Sequence, residues 1–178
     1  MTVNTSAFSI RSREELLRRN KIFESFFKAE APRLAEACHE MSRRFLSGGR
    51  LLAFGNGAAA TDAQHVSVEF VHPVIVGKRA LPALDVGPDF EARLPVILRP
   101  EDMVMGFSFP AGDTAVERAL QVARERGALT FALAGEAGDY PFALPDEDLF
   151  VEAATALCPG WTGAFGDGRR RPSTSGQG

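Results

Sequence analysis

Two kinds of segment follow one another along the middle of the chain. One kind is a short apolar run without polar alternation, as expected of a strand buried on both faces. Such runs occupy 50–54, 81–86, 102–107 and 128–134, with a shorter one at 149–151. The other kind has apolar residues at helical spacing, after the first run and from 115 to 126. This β-α-β alternation predicts an α/β fold, a three-layer α-β-α sandwich around a parallel sheet.

An N-terminal helical pair is predicted ahead of the first strand, over residues 11–47. Apolar residues recur at amphipathic spacing over 11–31. Pro32 fits the first turn of a second helix, and the glycines at 48–49 end it.

The rest of the domain is less regular. Pro95 is expected to interrupt any helix between the second and third strands. Beyond residue 152 the apolar periodicity stops, and proline, glycine, serine, threonine and arginine dominate from residue 158 onward. We therefore predict a single domain over 11–152 and a flexible tail over 153–178.

The composition is that of an ordinary globular protein. The 178 residues are 45% hydrophobic and 24% charged with a net charge of −3, so nothing predicts a nucleic-acid-binding surface. The polar N-terminus lacks the apolar core of a signal peptide, and no apolar run reaches membrane-spanning length. Cys38 and Cys158 lack a CxxC spacing. We therefore expect a cytoplasmic protein with reduced cysteines that associates with neither a membrane nor nucleic acid.

A Gly55-Asn56-Gly57 turn connects the first strand to the following helix. In a strand, glycine turn and helix arrangement, the free backbone N–H groups of the helix point toward whatever lies above the strand. Helix N-termini attract anions through these donors and through the helix dipole. Phosphate is therefore the predicted ligand of this turn.

His65 and Glu69 lie four residues apart on the same helix, and so on one face of it. An imidazole and a carboxylate one turn apart can share a metal ion or act as an acid/base pair. They can also form an ordinary contact on a solvated helix face. The nearby glycine turn favours the functional interpretations.

The segment from Gly55-Asn56-Gly57 through Asp62-Ala63-Gln64-His65 to Glu69 resembles the signature of SIS (sugar isomerase) domains, and within them the phosphoheptose isomerases. The resemblance extends over residues 33–150 and is densest over 50–82. It implies a flavodoxin-like parallel sheet, a phosphorylated sugar as ligand and a homo-oligomer, which is a tetramer in that family. It implies no nucleotide cofactor.

The resemblance also implies roles for single residues. Glu69 would be the catalytic base, and His65 a second catalytic residue that polarises the substrate or, together with Glu69, binds zinc. The phosphate-binding residues would lie in two turns, one after each of two strands: Asn56, Gly57, Thr61, Ser108, Gly112 and Thr114.

Several positions depart from the family pattern. Ala59, Phe109 and Pro110 stand where the family has hydroxyl side chains, and Asp113 brings a negative charge into the second turn, where it could instead cap the next helix. A glutamine and a histidine of the family's C-terminal helix, which complete its metal site, have no counterpart. These departures predict an incomplete zinc site and reduced catalysis.

Three functions remain open from the sequence. The first is an aldose–ketose isomerase that acts on sedoheptulose 7-phosphate through an enediol. The second is a non-catalytic SIS module that binds a phosphosugar or a protein partner. The third and weakest is a dinucleotide-binding domain, because the glycine turn lacks the GxGxxG spacing.

Overall fold

A computed structural model describes residues 5–72, 79–109, 111–144, 153–154 and 157, with side chains described from residue 13 onward. Four helices and five strands alternate along most of this length. In chain order they are α1 (Thr5–Leu46), β1 (Leu51–Gly55), α2 (Ala59–Val71), β2 (Ala83–Asp85), α3 (Phe90–Ile97), β3 (Met103–Phe107), α4 (Thr114–Glu125), β4 (Leu129–Leu133) and β5 (Tyr140–Phe142).

The five strands form one parallel sheet in the order β2-β1-β3-β4-β5. The register pairs Leu51 with Ala83 on one side and with Met103 on the other. This strand order is that of flavodoxin-like sheets. The predicted α/β class and parallel sheet are therefore confirmed.

Both faces of the sheet are covered, because alternate side chains of each strand point to opposite sides. Leu51 and Ala53 pack with α1 and α2, whereas Leu52 and Phe54 pack with α3 and α4. A Cβ atom built on Gly106 would lie 2.8 Å from Val116, so α4 rests almost directly on the backbone of β3. The predicted three-layer sandwich is the observed one.

The structure corrects the predicted helical pair. A single helix, α1, runs from Thr5 to Leu46 with Pro32 inside it. Proline removes one backbone N–H, but Phe26, Leu34 and Met41 on either side of it all enter the same core. This continuous apolar stripe outweighs the lost hydrogen bond, because tertiary packing contributes most of the stability of a helix in a protein.

Two further corrections concern short elements. Pro95 does not prevent a helix, because α3 spans it and buries Phe90 and Leu94 against the sheet. The sheet also has a strand that was not predicted, β5. The strand predicted at 149–151 lies outside the described residues.

The structure describes three residues of the segment predicted as a tail. Ala153, Ala154 and Leu157 are helical and fully buried against the core that contains α1 and α2. Residues 158–178 lie outside the described residues, and the domain bounds remain a prediction. Within the part of the chain that the structure describes, no helix is both long and apolar enough to cross a membrane.

Candidate functional site

The strand order reverses direction at β1. The chain passes from β1 outward to β2 on one side and then returns to β3 on the other side. In open parallel sheets, ligands bind in the crevice at the carboxyl ends of the two strands that flank such a switch point. Here that crevice lies above Gly55 and Phe107, the paired last residues of β1 and β3.

The first turn requires its glycines. A Cβ atom on Gly55 would lie 2.8 Å from the carbonyl oxygen of Ala59 and 3.0 Å from that of Phe107, so a side chain cannot fit there. Gly57 has a φ of 55°, in the left-handed region that favours glycine. Ala58, the residue before α2, forms no side-chain cap on the helix.

The second turn ends at a capped helix. Gly112 has a φ of 85°, and its backbone N–H donates to the carbonyl of Phe109 over 2.8 Å. The Asp113 carboxylate then accepts hydrogen bonds from the backbone amides of Ala115 at 2.9 Å and Val116 at 3.2 Å. Asp113 is therefore the N-cap of α4, one of the two roles that the sequence allowed for it.

Side chains join the two turns. The Asn56 side-chain amide donates to Asp113 Oδ2 over 2.9 Å. The Phe109 ring lies 3.6 Å from the position of a Cβ atom on Gly57. The sequence predicted a turn after each of the two strands but neither of these contacts, because neither residue pair is close along the chain.

The side chains of the other predicted phosphate-binding residues differ in their exposure to solvent. Thr61, in the first turn of α2, and Thr114, the first residue of α4, are exposed. Ser108 is buried, and its hydroxyl lies 3.4 Å from the carbonyl oxygen of Phe109. Pro110 lies outside the described residues. The two threonine side chains are therefore accessible to a ligand, whereas the Ser108 side chain is buried.

His65 and Glu69 form a pair on α2. His65 Nε2 lies 3.4 Å from Glu69 Oε1, and the side chains are 53% and 20% exposed, so the carboxylate is the more enclosed group. The pair carries an ionic attraction only when the imidazole is protonated. At 1.5 Å per residue, Glu69 lies about 15 Å along α2 from its first residue, Ala59. Most of the length of α2 thus separates the glycine turn from the His65–Glu69 pair.

These donors do not fit a resident zinc ion. Protein zinc sites offer three or four protein ligands, and His65 and Glu69 offer two. Among the described residues, no group of three or more histidine, cysteine, aspartate or glutamate side chains could hold a metal ion. The predicted zinc ligation by this pair therefore gains no support from the arrangement.

The sequence and the fold are both similar to those of known proteins. No family model matches the chain. The chain is 31% identical to a phosphoheptose isomerase of Pelobacter propionicus, over 77% of this chain and 81% of that protein. It is 32% identical to a phosphoheptose isomerase of Solidesulfovibrio magneticus, over 68% of this chain and 71% of that protein. Among solved structures, the phosphoheptose isomerase of Neisseria gonorrhoeae has the same fold, with a TM-score of 0.71, 18% identity and coverage of 85% of this chain and 96% of that one.

Proposed function

The chain belongs to the phosphoheptose isomerase family, and on this premise we propose that it binds a phosphorylated sugar and interconverts its ketose and aldose forms. The proposed substrate is sedoheptulose 7-phosphate, and the product is D-glycero-D-manno-heptose 7-phosphate. The observation that carries this proposal is the glycine turn before α2, followed on the same helix by His65 and Glu69.

The phosphate of the sugar would bind at the start of α2. This helix begins after a left-handed glycine, and no side chain caps it. The amides of Ala60 and Thr61 donate to the carbonyls of Gly57 and Ala58, so an external anion would meet the amides that precede them. Gly57 contributes backbone, and Thr61 contributes an exposed hydroxyl on the first turn of the helix. The positive end of the α2 dipole adds a favourable interaction with the negative charge.

Glu69 would perform the proton transfer. Its carboxylate removes a proton from C1 of the ketose, and the electron pair forms the C1–C2 double bond of an enediol. The Glu69 carboxyl, whose proton exchanges with solvent, then delivers a proton to C2. A second proton moves from the C1 hydroxyl to the former carbonyl oxygen, so that the atoms balance. His65, in contact with Glu69, would polarise or protonate the substrate oxygen during this step.

The spacing along α2 supports a long substrate. In sedoheptulose 7-phosphate, the phosphate is on C7 and the reacting carbons are C1 and C2, at opposite ends of the molecule. The anion-binding turn and Glu69 are likewise separated by most of the length of α2. No step of this mechanism passes through a metal ion, because the described residues supply only two ligands.

We also propose that the protein is a homo-oligomer, with α1 in the subunit contact. Leu16 and Leu17 on α1 are more than half exposed, and Phe23 is partly exposed. The residues around them on α1 are almost all exposed, so this part of the helix has little contact with the described part of its own chain. Exposed apolar side chains grouped on one helix are typical of an interaction surface.

A turnover assay tests the proposed function. The wild-type protein is expected to convert sedoheptulose 7-phosphate, and Glu69→Gln is expected to lower the rate by about 100-fold or more, because a general base contributes at least that factor. Glu125→Gln, at an exposed carboxylate at the end of α4, is the matched control and should leave the rate unchanged.

The second candidate, a non-catalytic module that binds a phosphosugar, is favoured by one observation. The N-terminus of α4 is already capped by Asp113, which weakens a two-turn phosphate site. A rise in melting temperature with sedoheptulose 7-phosphate but no turnover would support this module. Neither turnover nor a thermal shift would overturn both candidates.

A further inference from the structure

Two helices direct their N-termini toward the crevice above β1 and β3, and only one of them carries a side-chain cap. The α2 N-terminus has no side-chain cap. The α4 N-terminus is occupied by the carboxylate of Asp113. Both termini carry the positive end of a helix dipole, which attracts an anion.

Both oxygens of the Asp113 carboxylate are engaged. Oδ1 accepts the amides of Ala115 and Val116, at 2.9 and 3.2 Å. Oδ2 accepts the side-chain amide of Asn56 at 2.9 Å. A helix amide set and a side-chain amide from the neighbouring turn are the donors that a phosphate would use. The chain thus supplies its own anion to these donors.

The Asn56 contact has a second consequence. Because its amide donates to Asp113, the Asn56 side chain contacts the cap of α4. The Phe109 ring packs on Gly57 beside it, so the two turns touch at that point as well. A phosphate at the start of α2 would therefore lie beside a turn whose side-chain amide already pairs with the Asp113 carboxylate.

We infer that Asp113 determines the affinity and specificity of the crevice, because its carboxylate occupies the anion position of α4 and repels the phosphate of the substrate. This inference rests on the proposed function, since it concerns the same phosphosugar site. Asp113 is a specificity-determining residue here and takes no part in the proton transfer. The repulsion between this carboxylate and the phosphate predicts a site that binds phosphosugars weakly. Such a site discriminates little between a phosphosugar and the neutral sugar.

Asp113→Asn tests the inference, because asparagine caps a helix about as well as aspartate but carries no charge. The dissociation constants of sedoheptulose 7-phosphate and of unphosphorylated sedoheptulose are measured by calorimetry. Removal of a like charge a few ångströms from the phosphate is expected to tighten sedoheptulose 7-phosphate binding about tenfold. Binding of sedoheptulose should not change, and a structural effect of the substitution would alter both sugars equally.

Two further proteins complete the experiment. Glu125→Gln removes one negative charge at the far end of the same helix and should leave both affinities unchanged. Serine is also a good N-cap, so Asp113→Ser should bind sedoheptulose 7-phosphate more tightly as well. This second variant shows whether the effect comes from loss of the charge or from the asparagine side chain itself.

The outcomes separate this inference from the proposed function. If the wild-type protein binds sedoheptulose 7-phosphate and neither Asp113 variant binds it more tightly, the inference is wrong and the function stands. If the variants bind both sugars more tightly to the same degree, the inference is also wrong. If no protein binds the phosphosugar, the proposed function fails and the inference fails with it.

Discussion

Arg50 and Asp102 join the amino ends of β1 and β3, at the opposite edge of the sheet from the candidate site. The guanidinium donates to the carboxylate through two nitrogens, at 2.6 and 3.1 Å, and the backbone amide of Arg50 adds a third hydrogen bond at 3.0 Å. The Arg99 amide completes the set at 3.0 Å. Asp102 is fully buried, so its charge depends on these partners.

Asp102→Asn should destabilise the fold without altering the site. The substitution leaves the partly buried Arg50 without its counter-ion, and breaking such a buried pair costs about 3 kcal/mol of unfolding free energy. Urea unfolding measures this loss. Asp89→Asn is the matched control, because Asp89 pairs with Arg93 at 3.7 Å on the exposed surface, where a pair contributes about 1 kcal/mol or less. Equal losses in the two variants would contradict the account.

The same carboxylate predicts how stability depends on pH. Burial raises the pKa of the Asp102 carboxyl, but the hydrogen bonds from Arg50 and the backbone amides lower it by more, so the pKa lies below its usual range. A group with a lowered pKa in the folded state contributes stability that is complete above its unfolded pKa of about 3.9 and is lost as the pH falls below that value.

The stability difference between wild type and Asp102→Asn should therefore be constant from pH 7 to pH 5 and shrink below about pH 4. Urea unfolding of both proteins at pH 7, 5, 4 and 3 measures it. A difference that grows as the pH falls would show that the pKa of Asp102 is not lowered.

Gly55→Ala tests the close packing of the first turn. The new Cβ would lie within 3.0 Å of two backbone oxygens that cannot move aside as a flexible side chain could. We expect a loss of about 2 kcal/mol or more of unfolding free energy and weaker binding of sedoheptulose 7-phosphate, since the turn must shift. Gly48→Ala has open space around it and a left-handed φ, so it should cost only about 1 kcal/mol and leave binding unchanged.

A double substitution, Leu16→Glu with Leu17→Glu, tests the proposed role of α1 in assembly. Two charges on the exposed apolar face should convert the oligomer to monomer, measured by light scattering after size exclusion. Arg18→Glu changes the net charge by the same amount on the opposite face of the helix and should leave the oligomer intact. A wild-type protein that is monomeric in solution would contradict the proposal that α1 forms a subunit contact.

The sequence was most informative where one local signal dominated. The apolar runs that form β1, β3 and β4 are buried on both faces. Each run is short and continuously apolar, which is typical of a buried strand in a parallel sheet. The helix breaks predicted at Pro32 and Pro95 were wrong. Local backbone chemistry predicts a break at proline, and burial of the neighbouring side chains in the tertiary structure overrides it. β5 has three residues including Pro141, too few to give a pattern.

Some features of the candidate site could likewise be predicted from the sequence, and others could not. The glycine turn and the His65–Glu69 spacing are local features, and the sequence contains them directly. The contact of Asn56 with Asp113 joins residues that follow different strands. It depends on β1 and β3 being neighbours in the sheet, which no local pattern specifies.

The central claim is that Glu69 moves a proton on the sugar, and isotope exchange tests it most directly. Sedoheptulose 7-phosphate is incubated with wild type or Glu69→Gln in deuterium oxide, and deuterium at C1 and C2 is followed by NMR. The account predicts deuterium incorporation by the wild-type protein and none above background by the variant, while both still bind the sugar. No incorporation by wild type, or equal incorporation by both, would contradict it.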